Sequence, residues 1–169
     1  MAEKVVDLAA EELPGTYPKS RTETKRLSGG SVGGSSGFAH FVGGKIREGT
    51  SLGLTADEAE LLAKRYGSNV DCLYGILRRM GEEAEHHGLS KCVFAMIVYA
   101  IESEMAATPA DFFIRRTGAL YFNIHWLQQW KEPVIAYMAE RLNWREEEIE
   151  KHKQTLEQRI EEATFPLKE

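Results

Sequence analysis

The chain has 169 residues, 43% of them hydrophobic and 28% charged, and a net charge of −5. That length allows one domain with one core, or a smaller domain with a tail. The charge argues against nucleic-acid binding, which needs Lys and Arg clustered on one face, and the longest apolar run, Cys92–Ile101, is far short of the roughly 20 residues of a membrane span.

Residues 2–12 carry Val5, Leu8 and Ala9 at helical spacing, and Leu13-Pro14-Gly15 stops that helix. A polar stretch follows to Gly37. It holds the basic cluster Lys19, Arg21, Lys25 and Arg26, interrupted by Glu23, and the glycine-rich run 28–37. So much glycine is poor material for a helix or a central strand. The reading is a linker, or a loop laid over another surface, with the core domain starting near Phe38.

From Phe38 the pattern is helix after helix. Phe38, Phe41, Val42 and Ile46 make a short amphipathic helix ending around Gly49. Thr55 and Glu58 form a capping box that opens a helix with Ala59, Leu62, Ala63 and Tyr66 on one face, stopping at Gly67. Ser68 is read as the cap of the next, with Val70, Leu73, Tyr74, Leu77 and Met80 facing inward. Cys92–Met105 is apolar almost all round at first, the mark of a central helix. Thr108-Pro109-Ala110-Asp111 combines a hydroxyl cap, a proline at the first helical position and an early acid. Asp111 and Arg115 then stand at i,i+4, a pair worth a few tenths of a kcal/mol, about 0.3, when exposed. Tyr121–Trp130 reads as an aromatic-rich helix, Pro133 as the start of another, and Arg145–Ala163 as the last. No stretch beyond the linker alternates as a strand does. The prediction is an all-α fold, a compact bundle of six to eight helices preceded by the glycine-rich linker and a short N-terminal helix.

No catalytic constellation emerges. Gly33–Gly37 matches G-x-S-x-G but lacks the strand before it that a nucleophile elbow needs. Nor does the run match the spacing of a P-loop or a dinucleotide turn. Adjacent His86 and His87 diverge and are read as partners of the helix-end carbonyls before Gly88, not as zinc ligands with Glu83 and Cys92. Cys72, Cys92, His125 and His152 are read as core or groove residues, and Glu102 and Glu104 face different ways at i,i+2. Arg115-Arg116 suits ion pairing better than a phosphate grip.

Three segments resemble a known family, the C-terminal domain of aerobic glycerol-3-phosphate dehydrogenases and α-glycerophosphate oxidases. They are Leu62-Ala63-Lys64-Arg65-Tyr66-Gly67-Ser68, the helix Tyr99-Ala100-Ile101-Glu102-Ser103-Glu104-Met105-Ala106, and Thr108 to Thr117 with its Arg115-Arg116-Thr117 ending. Asn143-Trp144 is similar to a closing Gly-Trp, with Asn standing where Gly is usual; Asn also tolerates the left-handed conformation. The resemblance covers about Leu27 to the end. It implies that 1–13 are the last helix of a flavin domain, 14–37 a linker and 38–169 the helical C-terminal domain, with Met1 an internal residue of a longer chain. It further implies that the parent enzyme oxidises sn-glycerol 3-phosphate to dihydroxyacetone phosphate with FAD, passing electrons to quinone or oxygen. The flavin fold, phosphate-binding arginines and catalytic base belong to the part that precedes these residues. Expected here are therefore no catalytic, cofactor-binding or metal residues and no activity from this polypeptide alone. Its partner would be the flavin domain, met through a docking face of Arg115, Arg116, Tyr121, Phe122, Trp126 and Trp130. Homo-oligomers are allowed for, nucleic acid and direct membrane insertion are not, and the setting is cytoplasmic, the parent peripheral on the inner face of the membrane. The contrasting reading is a free-standing helical interaction module with an aromatic-lined groove.

Overall fold

The computed structural model describes residues 2–165, and all regular structure among them is helical. Nine α-helices run in order: α1 (Ala2–Glu12), α2 (Gly34–Ser51), α3 (Ala56–Tyr66), α4 (Val70–Met80), α5 (Glu83–His86), α6 (Lys91–Glu104), α7 (Ala119–Phe122), α8 (Ile124–Leu142) and α9 (Glu146–Thr164). The all-α bundle of eight helices after a short N-terminal one is as the sequence predicts.

Helix α6 is the axis. Every residue from Cys92 to Ala100 is buried, which only a helix covered on all sides can accept. Helices α3, α4 and α5 cover one side, and α9 packs on α7 and α8 beyond it. Ser90 starts α6 by accepting the Val93 amide at 3.2 Å. The helix ends at Glu104, where Met105 takes the left-handed turn at φ 58° and the Ala106 amide reaches back to the Ala100 carbonyl at 2.9 Å. Asn143 ends α8 the same way, at φ 55°.

The capping box of α3 forms as read. The Thr55 hydroxyl accepts the Glu58 amide at 3.2 Å and the Glu58 carboxylate accepts the Thr55 amide at 2.9 Å. At Thr108 the same exchange is made with Asp111, whose carboxylate also accepts from the Ala107 amide and from Arg115. The turn that follows, Asp111–Arg116, is a π-helix. Its widened ring, closed by the Thr117 amide on the Phe112 carbonyl at 2.9 Å, brings consecutive Phe112 and Phe113 both into the core. Burial alone would raise the Asp111 pKa, but bonds from Thr108, Ala107 and Arg115 outweigh it and hold the carboxyl below its usual value. A depressed acid stabilises the fold above its unfolded pKa and loses that contribution as pH falls through the folded one. Asp111→Asn is therefore expected to cost about 0.3–1 kcal/mol at neutral pH, and the gap between variant and parent should close in urea melts below about pH 4.

Several expectations are corrected. Gly34–Gly37 form the first turn of α2; an N-terminal turn needs little side-chain packing, and α2 is held further along, where Val42 and Gly49 are buried against α3. Ser68 does not cap α4; its hydroxyl accepts the Ser31 amide instead. The aromatic stretch is cut at Asn123, whose side chain caps α8 on the Trp126 amide at 3.1 Å. Pro133 lies inside α8 rather than at its start. Proline there removes one hydrogen bond, but Leu127, Val134, Ile135 and Met138 are buried before and after it, and that burial carries the helix through.

Candidate docking face

The aromatic residues between Phe112 and Trp130 divide into two groups. Phe112, Phe113 and Trp126 pack ring on ring, at centroid separations of 5.2, 6.0 and 6.2 Å, and Trp130 lies against the same core. Tyr121 and Phe122, on α7, point outward at 66% and 89% exposure. Across a shallow notch of about 120 Å³ from Phe122 stand Leu61 and Arg65 of α3, with Asn123 and Trp126 forming its wall. Leu61 is itself 42% exposed, so α3 and α7 together present an apolar step with a cationic edge.

The two arginines look elsewhere. Arg115 is paired with Asp111. Arg116 donates to the Glu104 carbonyl and lies 3.8 Å from its carboxylate. Burial pushes that carboxyl above its usual pKa, against the pull of Arg116. Of the six residues expected to share a face, Tyr121 and Phe122 are thus free, Arg115 and Arg116 are engaged at the helix junction, and the two tryptophans are half-buried. The reading of the sequence missed Leu61 and Arg65. The signal was there: Leu61 lies off the stripe of Ala59, Leu62, Ala63 and Tyr66 that α3 buries, with Arg65 one turn on.

The cysteines and histidines divide between core and surface. Cys92 is buried, and burial, reinforced by Glu58, pushes its thiol up to about 12, which keeps it from acting as a thiolate. Cys72 is exposed, not core filler: it lies beside, not on, the stripe of Val70, Leu73, Tyr74 and Leu77. His87 does not turn to the helix-end carbonyls but packs edge-on to Tyr137 at 4.9 Å and stacks toward Phe94 at 6.4 Å. His152 packs on Trp144 at 4.3 Å, whereas His125 is exposed rather than in core or groove. Lys45 bridges Glu48 of its own helix and Asp71 of α4, tying the two helices. No group of three metal-ligating side chains converges among the described residues.

These features define an all-α domain with a solid core and an exposed aromatic step at the α3–α7 edge. Residues 20–149 match the family model described as the C-terminal domain of alpha-glycerophosphate oxidase, and the chain belongs to that family. It is 40% identical to the aerobic glycerol-3-phosphate dehydrogenase of Bacillus subtilis (strain 168), over 100% of this chain and 31% of that protein. The corresponding protein of Staphylococcus haemolyticus is 39% identical, over 97% and 30%. The X-ray structure of the glycerol-3-phosphate dehydrogenase from Bacillus halodurans complexed with FAD superimposes with a TM-score of 0.87 at 44% identity, over 99% of this chain and 34% of that one. The chain thus spans about a third of the length of the relatives it matches, in their C-terminal part.

The described residues form no strand, so the strand, glycine turn and helix unit that cradles a dinucleotide pyrophosphate is not among them. No helix among the described residues is long and apolar enough to cross a membrane.

Proposed function

We propose that this chain is the helical C-terminal domain of an FAD-dependent glycerol-3-phosphate dehydrogenase, non-catalytic by itself, which docks on the flavin domain through the α3–α7 step. The parent enzyme converts sn-glycerol 3-phosphate to dihydroxyacetone phosphate and hands electrons to quinone or oxygen, in the cytoplasm or peripherally on the inner face of the membrane. Residues 1–13 are the last helix of the flavin domain, 14–33 the connection, and the helical domain starts with α2 at Gly34 rather than at residue 38 and runs to 169. Support for the division comes from α1, which buries none of its residues on the bundle.

The observation that carries the docking is Phe122, 89% exposed and across the notch from Leu61, with Tyr121, 66% exposed, next to it on α7. Arg65 at the rim suits a carboxylate on the partner. The test is titration of the chain with the isolated flavin domain of the Bacillus halodurans relative, followed by tryptophan fluorescence, since Trp126 walls the notch. Quenching with a saturable midpoint is expected, weakened about tenfold or more by Phe122→Ala, the loss of one well-packed anchor, with the melting temperature unchanged. Unchanged fluorescence across the titration overturns the docking. Binding of another helical partner by a chain that ignores the flavin domain would favour the free-standing interaction module instead.

A further inference from the structure

The glycine-rich run crosses the α3–α4 junction in an unusual contact. Gly67 ends α3 at φ 53°, and a Cβ there would fall on the Gly29 carbonyl oxygen; Gly29 itself has φ 81°, and its Cβ would lie 2.7 Å from the Tyr66 carbonyl oxygen. Two backbones therefore touch where neither can carry a side chain. Three hydrogen bonds hold the contact: the Ser68 amide donates to the Gly29 carbonyl at 2.9 Å, the Ser31 amide to the Ser68 hydroxyl at 3.2 Å, and the Asn69 side-chain amide to the Ser28 hydroxyl at 2.7 Å. No apolar side chain is buried with them: none of residues 28–31 is buried, and Leu27 is 86% exposed.

We infer that Ser28–Ser31 is a releasable strap, which opens and closes on the α3–α4 junction while the bundle stays folded. Local opening costs what the opened contacts are worth, and a few solvent-edge hydrogen bonds are worth far less than the core around α6. No residue of 2–27 is buried, so strap closure is what holds the N-terminal segment to this junction. Opening leaves that segment attached only through Val32 and Gly33. The strap is a property of the chain alone, whatever docks beside it.

Amide hydrogen exchange on the whole chain tests this. The Ser31 and Ser68 amides are expected to exchange at least about tenfold slower than unstructured amides, through an opening that low urea does not accelerate. Amides of Phe94–Ala100 should exchange only through urea-sensitive unfolding. Gly29→Ala, a change outside the bundle, should bring both strap amides to the unstructured rate and leave the melting temperature in place. Strap amides that share the rate and urea dependence of Ile97, that are unprotected in the parent, or that ignore Gly29→Ala would each overturn the inference.

Discussion

Phe94→Ala is expected to lower stability by about 3–5 kcal/mol. Phe94 sits in the first turn of α6 and is wholly buried. Its ring meets Tyr137 of α8 edge-on at 5.4 Å and faces His87 at 6.4 Å, so it joins the α5 end of the bundle to the long helix α8. Truncation removes the transfer free energy of the ring and leaves a cavity between helices held by their ends, which cannot easily close on it. In a domain of this size the loss corresponds to a fall in melting temperature on the order of 10 °C. Urea unfolding followed by circular dichroism measures it, and a loss below about 1 kcal/mol, the level of an ordinary surface change, would remove α6 from the centre of the core.

Gly49→Ala is the second large effect, and its sign is not obvious from helix propensity. In a helix interior Ala is favoured over Gly by about 1 kcal/mol. At Gly49, however, a Cβ would lie 2.6 Å from the Tyr74 hydroxyl and 2.7 Å from the Ala59 Cβ. Tyr74 cannot retreat without breaking its 2.9 Å bond to the Lys45 carbonyl, and Ala59 is backbone-fixed in α3. Overpacking wins, and a net loss of about 1–3 kcal/mol follows. Gly43, in the same helix, has nothing within 4 Å of its Cβ position, so Gly43→Ala should stabilise by about 0.5–1 kcal/mol. Paired urea melts should give opposite signs; a stabilising Gly49→Ala would mean that α2 and α3 do not meet this closely.

The candidate docking face was half legible. The density of aromatics from Tyr121 to Trp130 is plain in the sequence, and so is the Arg115-Arg116 pair. Which of them meet water was not, because all lie near one another along the chain and differ only in what covers them. Trp126 is covered by Phe112 and Phe113 across the π-helical turn, whereas Phe122, four residues earlier, is left bare at the end of the single turn α7. Leu61 and Arg65 come from sixty residues away and join the face only through the fold.

The sequence by itself determined that the regular structure of the described residues is helical, where α3, α4 and α6 place their buried faces, and how α3 and the turn after Thr108 begin. Those properties rest on spacing within two turns and on bonds between residues three or four apart, so they are complete before any helix meets another. Only the tertiary structure decided that Pro133 stays inside α8, that Cys72 and His125 face solvent, that the glycine run opens a helix and straps a junction, and which aromatics remain outside. Each of these depends on whether a distant element supplies a covering surface, and burial of that kind outweighs local preference by several-fold.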